Sequence, residues 1–338
     1  MSSALSFELP ARLEAHRPPP QRDRVRMLVA RRETNELVHA RFDELPRFVR
    51  AGDLLVVNTS ATLPAALEAR RSDGSLVDLH LSTPVPGKNG RLWVVELRRA
   101  GGPLPVCRPE SLDLAAGRVE LLAPYVKGMR LWIARLDLPE PVPAYLARHG
   151  RPIRYGYVPD EHPLAEYQTV FALEPGSAEM PSAGRPFTPE LVTTLVARGA
   201  LVAPVMLHTG VSSPEYSEAP FPERFSVPES TARLATAARG WGGRVIAVGT
   251  TVVRAVESAA GADGVVEASE GWTDLVVTPD RGLKAVDGLL TGWHEPESSH
   301  LQLLEAVAGR DLVARSYRAA LERGYLWHEF GDVHLILP

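Results

Sequence analysis

Directly after the apolar run Arg244–Val248 the chain reads Gly249-Thr250-Thr251, then Arg254, Glu257 and Ser258. A short β-branched run closed by glycine predicts a buried strand ending in a tight turn, with the threonine hydroxyls placed to cap the helix that follows. Thr250, Arg254, Glu257 and Ser258 are three and four apart, so that helix carries them on one face. Free N–H groups at a helix N-terminus favour an anion, and a nearby arginine adds a fixed positive charge. The same residues also suit an ordinary βα unit with Arg254 and Glu257 as a surface ion pair. Other apolar runs end in small or polar residues in the same way: Leu54–Val57 at Asn58-Thr59-Ser60, EYQTVFA around Gln168, LVAPVMLHTG at His208, LLTGWHEP at His294 and GYLWHEFGD at Asp332. A site assembled from several loops looks like this in sequence.

The elements that must position these groups fall into two textures. From both chain ends, helical and strand patterns alternate, which predicts an α/β main domain, a mixed layered sheet with helices, over residues 1–63 and 144–338. Residues 64–143 instead show short alternating strands, among them Leu92–Leu97, Val119–Leu122 and Leu131–Leu136, separated by Gly and Pro turns. That texture predicts an inserted all-β, barrel-like domain. Strands are also expected at Met27–Ala30 and Leu54–Val57, and a short helix at Arg41–Arg50.

The 338 residues carry a net charge of −4, so no global basic field announces nucleic acid. A local cluster, Arg22, Arg24, Arg26, Arg31 and Arg32, reads either as a solvated charged edge or as an RNA contact. A single cysteine, Cys107, excludes an internal disulfide and a cysteine-rich metal site. The N-terminus lacks the apolar core of a signal peptide and no run is long enough to cross a bilayer, so a soluble, cytoplasmic protein without membrane partners is expected. Phosphate-loop, dinucleotide-turn, His-Glu-x-x-His and Gly-x-Ser-x-Gly motifs are all missing. The histidines at 208, 294, 300, 328 and 334 lack metal spacing, so no metal is expected.

Taken in order, FELP, GDLLVVN followed by PA, YQTVFA, PSAG-x-x-FT, LHTG, VIAVGTT-x-x-R-x-x-ES, VDGLLTGWH-x-P-x-S and the final Gly331-Asp332 resemble one family along the whole chain. It is the S-adenosylmethionine:tRNA ribosyltransferase-isomerases of queuosine biosynthesis. The resemblance implies a transferase that uses S-adenosylmethionine as co-substrate and moves and isomerises its ribosyl group onto the aminomethyl-7-deazaguanine of tRNA, releasing adenine and methionine. Such chemistry needs a base for the proton beside the sulfonium and a donor for departing adenine. His208 and His294 are the candidates, with Glu257 and Asp332 as alternatives. Gly249, Thr250, Thr251 and Arg254 suit the methionine carboxylate, and Asn58 and Gln168 suit base edges or ribose hydroxyls. Monomer and homodimer are both open.

The departures from the family pattern are local. PTAGLHFT reads PSAGRPFT, with Arg185 and Pro186, and the arginine-containing NDTRVIPARL reads with Thr59, Ala61 and Ala66. LHVGAGTF acquires Ser212 and Glu215, the histidine-rich segment after it keeps Glu223 and Phe225 but has Phe221, a lysine position is Glu297, and FFSYGD becomes LWHEFGD. Lost basic residues should weaken a phosphate grip. Two alternatives to the tRNA reaction therefore stand beside it: a divergent paralogue that uses a small-molecule acceptor or cleaves S-adenosylmethionine, and a non-catalytic protein that binds it.

Overall fold

Alternating burial explains the main sheet. In the strand Leu54–Asn58 every residue is buried, but Leu54 and Val56 face one apolar cluster and Leu55 and Val57 another, as a strand covered on both faces requires. The computed structural model describes residues 5–88, 90–99, 102–125, 130–211, 221–296 and 298–338. Ser212, Glu215 and Glu297 lie outside them.

Nine strands form this sheet, in the order Ser269–Thr273, Glu223–Val227, Leu201–Leu207, Leu54–Asn58, Val245–Val248, Gly288–Gly292, Val333–Leu337, Arg26–Arg31, Glu36–Arg41. The centre, from Leu201–Leu207 to Gly288–Gly292, is parallel, and the outer pairs are mostly antiparallel. Helices Glu229–Gly240, Thr250–Ser258, Ser299–Ala308 and Arg310–Glu322 supply apolar side chains to one face. Phe42 and Leu45, with Phe187, Leu191 and Leu195, cover the other. The expected helix at Arg41–Arg50 is a 3₁₀ turn over Phe42–Arg47, with Pro46 inside it; a proline cannot donate to the ladder of a longer α-helix.

Six antiparallel strands, Ala66–Arg70, Leu76–Pro84, Leu92–Arg99, Glu110–Asp113, Arg118–Pro124 and Leu131–Asp137, form the inserted barrel. It closes because Leu131–Asp137 pairs with Leu92–Arg99, leaving no exposed edge between them. Inward residues such as Leu67, Leu79, Val95, Leu112, Val119 and Trp132 fill it. Two strands outside these sheets, Ser60–Thr62 and Glu174–Ser177, pair in parallel and hold the segment leaving Leu54–Asn58. Among the described residues no helix is long and apolar enough to cross a membrane.

Each arginine of the early cluster has a partner within the chain. Arg22 donates to the carbonyls of Gln168 and Ala165 at 2.6 and 2.7 Å, and Arg32 to that of Val307 at 2.8 Å. Arg24, Arg26 and Arg31 pair with Asp43, Asp332 and Glu36.

Candidate active site

Strand Val245–Val248 ends at Gly249, whose φ of 105° is a conformation other residues rarely adopt. Gly249 itself is the N-cap of helix Thr250–Ser258, so the expected hydroxyl cap is not formed. Thr251 Oγ1 instead accepts from Asn58 Nδ2 at 3.4 Å. The turn opens into a cleft of about 680 Å³ between the sheet and the barrel, a size suited to a small organic ligand. Gly249, Thr250, Thr251, Arg254, His294 and His300 line its sheet side, and Arg98 its barrel side; Tyr155, Tyr157, Glu179, His328 and Glu329 enter from loops.

His294 sits in this cleft and is held from several directions. Its Nε2 lies 2.9 Å from Thr291 Oγ1, its backbone N–H donates to the Tyr317 hydroxyl at 3.2 Å, and its carbonyl accepts from Trp327 Nε1 at 3.1 Å. The ring stacks on His300 at 4.5 Å and 6°. Burial first, then the neighbouring His300, His334 and His328, keeps its pKa well below the usual imidazole range, so the ring is neutral at pH 7.

Opposite in character are two carboxyls that each meet a tyrosine. Tyr157 Oη donates to Glu329 Oε2 at 2.8 Å, and Tyr155 Oη donates to Glu179 Oε1. His328 stacks flat on Tyr157, at 3.7 Å and 9°, and holds a φ of 71°. A positive φ in a histidine is strain that the surrounding packing has to maintain, and such strain gathers at ligand sites. Burial, with the Glu179 charge adding to it, pushes the Glu329 carboxyl up to about 7, against the hydrogen bond from Tyr157 and the Arg185 charge. A carboxyl near 7 in a cleft is placed to give or take a proton at physiological pH.

Arg254 lines the cleft, but its guanidinium is engaged. It pairs with Glu223 and donates to the carbonyls of Leu275 and Thr273 at 3.0 and 3.1 Å. Glu223 also accepts from the Gly210 N–H at 2.8 Å. The surface pair with Glu257 does not exist, because Glu257 turns away to its own partners. Its carboxylate is fully enclosed, accepts from the N–H groups of Lys284, Ala285 and Val286 at 2.9, 2.9 and 3.2 Å, and pairs with Arg281 at 2.8 Å.

The other sequence candidates stand around the cleft without lining it. His208 Nδ1 lies 2.7 Å from Ser60 Oγ, which in turn meets Ser177 Oγ at 2.6 Å. A Cβ on Gly176 would come within 2.4 Å of the His208 ring, so the imidazole covers that glycine. Burial, then Arg224, holds His208 at a pKa of about 4. Asn58 accepts from the N–H of Leu207 and donates to its carbonyl, at 3.0 and 2.8 Å, fastening two neighbouring strand ends. Gln168 bridges the N–H and the carbonyl of Thr62 at 2.9 and 2.8 Å. Asp332 accepts from the Arg26 and Leu326 N–H groups at 2.6 and 2.8 Å and pairs with the Arg26 guanidinium at 2.8 Å.

Tyr155, Tyr157, Glu179, His300, His328 and Glu329 are among the cleft groups that the sequence does not single out as site residues. His328 and Glu329 lie in WHEFGD, one of the departures from the family pattern, and that was the available signal. Among the described residues, no three His, Cys, Asp or Glu side chains are grouped to hold a metal ion.

Comparison with known proteins accounts for the whole chain. The family model described as queuosine biosynthesis protein matches residues 2–336. An S-adenosylmethionine:tRNA ribosyltransferase-isomerase of Moorella thermoacetica is 39% identical over 345 residues, 98% of each chain. The protein of that name from Thermus thermophilus is 36% identical over 348 residues, 99% of each. Among solved structures, an S-adenosylmethionine tRNA ribosyltransferase from Thermotoga maritima is 30% identical, with a TM-score of 0.57 covering 99% of this chain and 100% of that one.

Proposed function

The chain belongs to the queuosine biosynthesis protein family, and on that premise we propose that it is an S-adenosylmethionine:tRNA ribosyltransferase-isomerase. It moves and isomerises the ribosyl group of S-adenosylmethionine onto an aminomethyl-7-deazaguanine in tRNA. The family match from end to end carries this reading. The cleft supports it with a volume suited to a nucleoside and with ionisable groups pushed in opposite directions, His294 down and Glu329 up, the pattern that divides acid and base roles within one site. Residues 1–63 with 144–338, and 64–143, form the two units of this reading.

S-adenosylmethionine supplies an acidified proton beside its sulfonium and adenine as a leaving group. Glu329, its carboxyl pushed up to about 7, accepts the proton in its ionised form, and the Tyr157 hydroxyl orients the carboxylate. The neutral His294 imidazole, fixed by Thr291, positions the ribose by hydrogen bonding. The N–H groups of the Gly249–Thr251 turn and the helix dipole meet the methionine carboxylate. Arg254, through Glu223, holds the Gly210 backbone on the cleft wall, and the tyrosines offer flat faces to a base. His208, Asn58, Gln168, Glu257 and Asp332 act through the frame, each holding a segment that carries a cleft residue.

Incubation of the protein with S-adenosylmethionine and tRNA carrying the aminomethyl base, followed by mass spectrometry of the nucleosides, tests the reading. An epoxycyclopentanediol nucleoside is expected, and adenine release without it would refute the tRNA acceptor. His294→Ala should lower adenine release by about 100-fold, the cost of losing the orientation of the reacting ribose. His208→Ala should change KM and thermal stability more than kcat. Equal kcat losses in the two variants would refute the division of roles.

A further inference from the structure

A second depression, of about 670 Å³, lies at the sheet edge formed by Arg26–Arg31 and Glu36–Arg41. Arg24, Arg26, Arg41 and Arg323 line it together with His39, Tyr325 and a single acidic side chain, Glu44. The chain as a whole is negative, so four guanidiniums gathered into one hollow oppose the global charge and repel one another. Arg24 and Arg26 are balanced by Asp43 and Asp332 at 2.9 and 2.8 Å. Arg41 and Arg323 have no ion-pair partner among the described residues, and the Arg41 guanidinium donates only to the Arg24 carbonyl, at 3.2 Å. Glu44 is spent on Arg47 and on the Arg41 backbone N–H.

Arg26, Tyr325 and His39 are tied to one another within the hollow. Arg26 lies over the Tyr325 ring at 4.5 Å and donates to the Arg323 carbonyl at 2.9 Å, and the Tyr325 hydroxyl meets His39 Nδ1 at 2.9 Å. Burial, with the Arg323 and Arg26 charges, lowers the pKa of His39, so the ring adds no further cation and the unbalanced positive charge rests on Arg41 and Arg323. Arg41 and Arg323 are exposed and have no ion pair of their own among the described residues, so their planar, five-donor forks are the ones open to a phosphate.

Its position ties it to the cleft. Met27 is in register with Val333, and Val333 with Gly292, so Arg26 and His294 emerge at the same end of the sheet. The segment from Arg323 to Glu329 runs from one site to the other: Arg323 and Tyr325 line the hollow, Trp327 is buried, and His328 and Glu329 line the cleft.

We propose that this arginine hollow is the phosphate-docking surface for the RNA whose modified base enters the cleft, with Arg41 and Arg323 making the backbone contacts. The proposal rests on the reading of tRNA as acceptor. It answers how a net-acidic chain, short of arginines in its early motif, still holds a polyanion: the grip is local and beside the cleft.

The test measures tRNA binding by fluorescence anisotropy from 50 to 300 mM KCl for wild type, the double variant R41A/R323A and R118A, an exposed arginine on the barrel paired with Asp113. Binding of S-adenosylmethionine is followed by calorimetry in parallel. The double variant should bind tRNA about tenfold or more weakly at 150 mM salt, and its log–log salt slope should fall by about 1–2, since each lost phosphate contact removes close to one unit. R118A should match wild type, and S-adenosylmethionine affinity should be equal in all three. An unchanged slope and affinity in R41A/R323A, with wild type binding tRNA tightly, would overturn the surface alone. Wild type that binds no tRNA at any salt would overturn both the surface and the acceptor assignment.

Discussion

Glu329→Gln is expected to slow adenine release by about 10²–10⁴-fold, the range a positioned proton-transfer group contributes, while S-adenosylmethionine still binds. Glutamine keeps the shape and the hydrogen bond from Tyr157 Oη but cannot take a proton. In the wild type, kcat should rise with pH through about 7, where Glu329 ionises, and the variant's residual rate should be flat across that window. Stability moves in the opposite sense. A carboxyl whose folded pKa lies above its unfolded value binds its proton more tightly in the native state, so its stabilising share is complete below the unfolded pKa, near 4.5, and is lost as pH climbs through 7. Glu329→Gln should therefore melt higher than wild type at pH 8, with the gap closing by pH 5. Calorimetric melts at the two pH values, beside a pH–rate profile, check both signs. A variant that loses activity and melts lower at pH 8 would show Glu329 to be a structural carboxyl.

The strand–turn–helix at Val245–Ser258 was legible because it is local: a β-branched run, a glycine that has to take a positive φ, and a polar helical start all lie within neighbouring residues. The barrel was legible for the same reason, through short alternating runs and turn residues. The cleft was only half legible. Gly249, Thr250, Thr251, Arg254 and His294 end or follow apolar runs and do face it. Asn58, His208 and Asp332 end apolar runs too, yet spend their polar atoms on backbone and side chains around them. A strand end that fastens the fold and one that meets a ligand carry the same residue types, and partners from distant segments decide between them. Tyr155, Glu179 and Glu329 illustrate the converse. They come from three separate loops without periodicity, so only the folded chain brings them together.

Glu257 shows how far helical spacing can mislead, and it carries the largest expected loss of stability. Three residues after Arg254, it falls near the same helical face, but the end of its side chain is claimed by the loop before Gly288–Gly292. Its carboxylate neutralises Arg281 and satisfies three successive backbone N–H groups, at Lys284, Ala285 and Val286. Those amides lead directly into the strand that delivers Thr291 and His294 to the cleft. Glu257→Ala removes every one of these acceptors at once. It leaves Arg281 without its counter-charge and buried N–H groups without partners, so a loss of about 3–5 kcal/mol is expected. Urea unfolding should show a lower midpoint with an unchanged slope. Glu257→Gln keeps an oxygen for the amides and gives up the charge, so it should lose less. The pair also separates frame from chemistry. A base at Glu257 would lose its rate in the glutamine variant as fully as in the alanine one, whereas a frame carboxylate leaves adenine release per folded Glu257→Gln molecule within a few-fold of wild type.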